Sequence, residues 1–314
     1  MRKCFALLVL IVTAVAAALP LYAQNTGPAS NDLVRVTVTV EGSKQNPNPE
    51  ITADDVIVYQ EKDRRPVVEW VPAKSDHAAL ELAILIDDSL DVTSVGQQLN
   101  DLAAFIRSMP STTQVAVAYG SNGNAQILQN FTTDHEAAAK ALRLPFGTPN
   151  ISSIFFAVGD LLSRWPQSSA RHEALVVSNG IDLFYGMADS SPALSPSLQQ
   201  AIDQAQRAGV TVYTIYASGS GRRAHDFFLV SNGQGCLSRL ADETGGDAYF
   251  QGFQTPISFQ PFLQDIAKEL GEQYLLTFKA QLGKKGELQR LKLRTEQKGV
   301  ELNAPERVYI PAAQ

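Results

Sequence analysis

Five consecutive apolar residues, Leu82, Ala83, Ile84, Leu85 and Ile86, run without a break into Asp87 and Asp88. A short run that is apolar throughout and stopped by carboxylates predicts a strand buried on both faces, the condition of strands in a parallel sheet. Parallel strands need crossover connections, usually helices, so this run commits the chain around it to an α/β arrangement. Asp87, Ser89 and Asp91 stand at alternate positions where the strand ends. Open α/β sheets bind ligands outside the carboxyl ends of their strands. Three oxygen side chains spaced in this way can converge on one hard cation. The same three residues equally fit a polar turn that caps the next helix.

From Glu81 onward strands alternate with helices, which predicts a doubly wound, mostly parallel sheet. Val95, Leu99, Leu102, Ala103 and Ile106 make a helical stripe, and residues 115–119 are the next strand. A turn of Gly and Asn over 120–124 leads into an antiparallel partner at 125–129. Thr133 and Asp134 cap a helix through Leu142, and residues 151–164 form another. Residues 174–177 are a second buried strand, ended by Ser178, Asn179 and Gly180. A loop rich in Pro and Ser precedes a helix over 197–208 that Gly209 closes, and 210–216 form a strand. Residues 218–235 read as an insertion, 237–246 as a short helix, 248–250 as the last strand and 256–270 as a closing amphipathic helix.

The flanks carry strands only. Residues 33–40 alternate strictly, which predicts a half-buried strand, and 56–59 and 66–72 follow with a loop over 41–50 and a charged turn over 60–65. The tail returns to strands at 273–280, 288–294 and 308–310. The two ends are expected to pair into one β-sandwich beside the α/β unit. The expected layout is therefore a β segment over 33–76, an α/β domain over 79–270, and a second β segment over 271–314 that packs on the first. With 45% hydrophobic residues in 314, the chain has the material for such cores.

Arg2 and Lys3, an apolar run from Phe5 to Leu19 and a small residue at Ala23 read as a secretory signal peptide over 1–23, followed by a polar linker over 24–32. The mature chain is then exported, periplasmic or secreted. Cys4 leaves with the signal, so Cys236 is the one mature cysteine, expected as a small buried hydrophobe beside Leu237 and Leu240. Losing Arg2 and Lys3 leaves 24 cationic against 32 acidic side chains, a net charge of −8. That balance speaks against nucleic-acid binding, which needs a basic patch. No later stretch is long and apolar enough to span a bilayer.

In order along the chain, "ITADDVIVYQEKDRRPVVEW", "LAILIDDSLD", "GTPNISS", "EALVVSNGID", "LSRLADETGGDAYF" and "ELGEQYLLTFKA" resemble the von Willebrand factor A family. More narrowly, they resemble bacterial exported proteins with a domain related to it. The resemblance implies a doubly wound fold with a metal-ion-dependent adhesion site. In such a site the first loop reads Asp-x-Ser-x-Ser, a second gives Thr and a third Asp. Together they hold Mg²⁺ or Mn²⁺ with one position open to a partner's carboxylate. Carried over, Asp87 and Ser89 match, Asp91 replaces the second Ser, Thr148 serves the second loop with a possible slip toward Asn150, and Asn179 replaces the Asp. The site is thus degenerate: Asp91 lowers the cation's net charge, and Asn179 offers only a neutral carbonyl. Asp88 is expected as a solvated acid at the helix start. Asp182, a stand-in for the missing acid, is expected on a surface loop.

The expected function is an exported, non-enzymatic binding, adhesion or scaffold protein with a protein partner. Contact is at the carboxyl edge of the sheet, with Phe184, Tyr185 and Met187 adding an apolar element. A metal-free interaction scaffold is the alternative within this class. The alternative outside it is a nucleotide-using enzyme, because residues 219–224 formally fit Gly-x-Gly-x-x-Ala. That match follows a late strand rather than opening the first βαβ unit. An aspartyl nucleophile at Asp87 lacks the second Asp at position 89. There is no Gly-x-Ser-x-Gly, His-Glu-x-x-His or P-loop. His77, His135, His172 and His225 are scattered and mostly expected to be exposed. The sequons at 130–132 and 150–152 carry no weight in a bacterial protein.

Overall fold

The structure is a computed structural model that describes residues 32–47, 49–147 and 153–313. The expected signal peptide, the linker up to residue 31, Thr148 and the sequon at 150–152 lie outside these residues. The alternating amino-terminal stretch forms β1 (Leu33–Gly42), and Val34, Val36, Val38 and Val40 point inward from it. β2 (Val56–Gln60), β3 (Asp63–Arg65) and β4 (Val67–Pro72) follow. The stretch read as a charged turn holds β3, which pairs back onto β2.

The middle of the chain alternates between strand and helix. β5 (Leu80–Asp87), α1 (Val92–Ser108), β6 (Thr113–Ser121), β7 (Asn124–Thr132), α2 (His135–Lys140) and α3 (Ile154–Ser163) come first. β8 (Arg171–Ser178), α4 (Pro196–Ala208), β9 (Val210–Tyr216), α5 (Phe227–Thr244), β10 (Ala248–Tyr249) and α6 (Gln260–Gly271) complete it. The strands form one sheet in the order β10-β9-β8-β5-β6-β7, parallel except for the edge strand β7. β5 has strands on both sides and helices over both faces, so every one of its residues is buried. The helices α3, α4 and α5 pack on one face around Phe155, Val158, Leu198, Ile202 and Leu237. α1, α2 and α6 cover the other around Leu102, Ile106, Ala138, Leu263 and Ile266. Cys236 is buried in the first of these cores beside Leu237 and Leu240, and burial pushes its thiol up to about 12.

The tail supplies β11 (Gln273–Lys279), β12 (Glu287–Thr295), β13 (Val300–Asn303) and β14 (Arg307–Ile310). Two four-stranded sheets result, β13-β1-β11-β4 and β14-β12-β2-β3, each mixing strands from both ends of the chain. They share a core of Val36, Val38, Val58, Leu276, Phe278, Leu291 and Ile310. This is the sandwich expected from the two flanks.

A longer stretch also differs from expectation. Residues 218–235 are not an insertion, because α5 begins at Phe227 and runs 18 residues. Asp226 caps it, its side chain accepting from the Leu229 N–H at 3.1 Å. Gly233 and Gly235, which look like loop punctuation, are close-packing positions inside this helix. A Cβ on Gly233 would lie 2.2 Å from the Asn179 carbonyl oxygen, and one on Gly235 would lie 2.6 Å from Pro192 Cγ.

Candidate functional site

The strand order reverses at β5, with β6 on one side and β8 on the other, so a crevice opens beyond its carboxyl end. Asp87 sits there, buried. One carboxylate oxygen accepts from the Ser89 backbone N–H at 2.9 Å, the other from the Ser178 hydroxyl at 2.7 Å. The Asn179 amide donates to Ser89 Oγ at 3.2 Å, while its carbonyl oxygen accepts from the Ile181 N–H at 2.8 Å. Burial pushes the Asp87 carboxyl above its ordinary value, and the bonds from Ser178 and Ser89 pull against that. The structure therefore brings together Asp87, Ser89 and Asn179, from two neighbouring strand ends.

The loop after β9 walls this group in. Ser220 N–H donates to the Ser89 carbonyl at 2.8 Å, and Asp91 N–H donates to the Ser218 carbonyl at 2.9 Å. Leu90 and Gly219 form an isolated antiparallel bridge. A Cβ on Gly219 would fall 2.4 Å from Asn179 Nδ2. The glycine of the Gly-x-Gly-x-x-Ala stretch is thus spent on close packing, and the helix that follows already has a carboxylate cap in Asp226.

Asp91 takes the capping role that its position also allowed, while Asp88 and Asp182 stand differently from expectation. Asp91 caps α1: one oxygen accepts from the Thr93 N–H at 2.9 Å and the Thr93 hydroxyl at 2.8 Å. Asp88 is not a solvated acid but is buried, and it pairs both oxygens with Arg143 at 2.7 and 2.8 Å. The Arg143 guanidinium also lies 3.9 Å from the Tyr119 ring centre and 4.1 Å from that of Phe146. Asp182 is not a surface carboxylate either. It is buried and accepts the hydroxyls of Ser195, at 2.7 Å, and Ser197, which ties down the loop before α4. Of the histidines, His77 and His225 are exposed while His135 and His172 are half-buried. None hydrogen-bonds to Asp87, Ser89, Ser178 or Asn179 among the described residues.

Among the described residues, the groups expected to hold a cation are engaged in hydrogen bonds of their own, and Thr148 lies outside them. A hard divalent ion takes about six oxygens. Here both Asp87 oxygens already hold donors, Asn179 turns an N–H rather than an oxygen toward Ser89, and Asp91 holds the helix cap. Arg143 adds a positive charge next door at Asp88. Among the described residues, the acidic trio with oxygens within 4.8 Å of one another is Glu41, Asp247 and Glu269, on other elements.

Exposed apolar side chains stand on the segments that follow these strands: Phe184, Tyr185 and Met187 after β8, Phe227 and Phe228 after β9, Phe253 and Ile257 after β10, and Phe146 beside Gly147, whose N–H donates to the Asp88 carbonyl. Phe184 stacks edge-on against Phe156 and Tyr185, each at 4.9 Å, and Phe227 meets Phe253 at 4.8 Å. Sequence alone pointed to Phe184, Tyr185 and Met187. Phe227 and Phe228 were hidden by the insertion reading, and Arg143 by its distance of 55 residues from Asp88.

No protein-family model and no curated protein matches the chain. Among solved structures it is similar to an aerotolerance-related membrane protein from Bacteroides fragilis, at 13% identity over 61% of this chain and 98% of that one, TM-score 0.44. It is similar to the vWF domain of the type V pili tip protein Mfa5 from Porphyromonas gingivalis, at 13% identity over 61% and 96%, TM-score 0.40. It is also similar to proximal thread matrix protein 1 from the mussel byssus, solved with a zinc-occupied MIDAS motif, at 13% identity over 63% of this chain and 46% of that one, TM-score 0.41. Likenesses this distant say nothing of function. The fold stands on its own strand order, with one antiparallel edge strand and helices over both faces. The chain carries a doubly wound α/β fold with one antiparallel edge strand.

Proposed function

We propose that this is an exported, non-enzymatic protein-binding module that uses the carboxyl edge of its six-stranded sheet and needs no metal there. The observation that carries the reading is two clusters of exposed aromatic side chains on segments that follow strands of this sheet, Phe184 with Tyr185 after β8 and Phe227 with Phe253 after β9 and β10, with Phe227 at 69% exposure. Surface apolar residues are ordinary singly, but larger exposed sets mark interaction sites. Aromatic residues and Met are the types enriched in protein interfaces. The polar centre is closed on itself, the Ser178 hydroxyl donating to Asp87 and the Asn179 amide to Ser89. The export half of the proposal rests on the amino-terminal sequence.

The test is a comparison of partners crosslinked to the mature protein and to the double variant Phe184→Ser, Phe227→Ser, each with and without chelator. Loss of the crosslinked species in the double variant, with Val68→Ser on the sandwich unaffected, supports the edge as the contact surface. Equal crosslinking in all three proteins overturns it. Release of the partner by chelator alone overturns the metal-free part and returns the site to a cation-dependent one.

A further inference from the structure

Leu80, Thr113 and Arg171 open β5, β6 and β8, and all three line a cavity at the amino ends of these strands. Its volume is about 420 Å³, within the range of about 300–1,000 Å³ that small-molecule sites occupy. Ala73, Leu80, Met109 and Leu270 give it an apolar floor, and all four are buried. Ser108 of α1 and Ala267 of α6 line this cavity and also a second space of about 370 Å³, which has Phe105 and Leu263 at its base. The two spaces thus follow one another along the seam between α1 and α6. A seam of this shape takes a long, thin apolar body rather than a compact one.

Charge is distributed unevenly along this seam. Lys74, on the connection from β4 to β5, lines the first cavity, is exposed, and makes no ion pair or side-chain hydrogen bond among the described residues. No carboxylate lines that cavity. The Arg171 guanidinium is already engaged: it donates to the Leu270 carbonyl at 3.0 Å and so answers the negative carboxyl end of α6. Lys74 is the cation left over. The second space is lined instead by Asp101, whose carboxylate accepts from the Ser258 hydroxyl at 2.7 Å and the Phe259 N–H at 2.9 Å. One end of the seam attracts an anion and the other repels it. The connection that bears Lys74 is also strained, since Ser75, a non-glycine residue, sits at φ 52° in the left-handed region. Such strain persists only where the surroundings impose it, and it clusters at ligand clamps.

We propose that this seam binds an anionic amphiphile of the medium-chain alkyl carboxylate class, its carboxylate on Lys74 and its tail laid between α1 and α6. Removing the tail from water supplies the affinity, and the single cation sets the direction in which the chain lies. This site is at the other end of the sheet from the aromatic clusters and does not rest on the function read from them.

The test is calorimetric titration of sodium decanoate, below its micelle concentration, into the mature full-length protein at pH 7, and separately of decyltrimethylammonium, which has the same tail and the opposite charge. One saturable decanoate site is expected, with a Kd of about 0.1 mM or tighter. Lys74→Glu should weaken it about tenfold, the order of one charge-assisted hydrogen bond. Ala267→Trp, which fills the seam from an exposed helix position, should abolish it. Both positions are exposed, so both variants should keep the parent's melting temperature closely. No saturation at a few millimolar decanoate, or either variant binding as tightly as the parent, overturns the site. Decyltrimethylammonium should bind about tenfold more weakly than decanoate; equal affinity overturns the role given to Lys74.

Discussion

Asp88 shows how far one residue's surroundings decide its part. A carboxylate just past a strand and before a helix belongs in water by its position, yet the fold closes over it and supplies Arg143. Breaking a buried pair leaves the remaining charge unbalanced, so Arg143→Ala is expected to lower stability by about 3 kcal/mol. A urea denaturation series reads this, and a loss below about 1 kcal/mol would mean that water reaches Asp88 freely. Glu173 makes the second residue-scale prediction. Its carboxyl titrates near 4.5 in the unfolded chain and near 8 when folded. Between those values only the folded state holds the proton. Its contribution is therefore full below pH 4.5 and is lost as pH rises through 8. At about 1.4 kcal/mol for each unit, the loss is about 5 kcal/mol, and Glu269, also pushed up to about 8, adds in the same direction. Glu173→Gln should remove most of its share, seen as a flatter stability profile between pH 5 and 8.5. The sequence revealed Asp87, Ser89 and Asn179 because alternation and strand ends are local signals. It hid Arg143 and Arg171 because their surroundings are assembled from distant segments.

At the scale of elements, α5 carries the clearest lesson. Ser231, Asn232, Gly233, Gln234 and Gly235 read as a loop because glycine and asparagine are breakers in isolation. In place, the glycines let the helix lie against the segment that presents Asn179, and Gly180 there adopts a positive φ of 66°. Tertiary contact has overridden local propensity. Gly233→Ala gains helix propensity and yet should cost about 2 kcal/mol, because its Cβ meets backbone that cannot move aside. The accompanying sign is a chemical-shift change at the Asn179 side-chain amide. An alanine variant as stable as the parent, with that signal unmoved, would show that the helix has room to shift. The strands and remaining helices were legible because long periodic apolar patterns leave little choice of element. α2 came out shorter than its pattern suggested, ending at Lys140 rather than Leu142.

Across the whole molecule the apolar residues sort into three cores. The two cores on the faces of the α/β sheet draw on residues 80–270, and the sandwich core on residues 34–70 and 274–310. A fragment spanning 74–272 is therefore expected to fold alone and unfold cooperatively, measured by near-ultraviolet dichroism during thermal melting. A fragment without a cooperative transition would show that the sandwich is needed to hold the sheet. The sandwich was legible in outline, since both flanks alternate. Which strand neighbours which was not, because register across more than 200 residues leaves no local mark. The α/β unit leaves the sandwich after β4 and returns at β11, and these two strands lie side by side, with Pro72 opposite Tyr274. Tension applied through the chain on either side of the sandwich would thus run across β1, β11 and their neighbours, and the sheet bearing the apolar edge would hang outside the line of force.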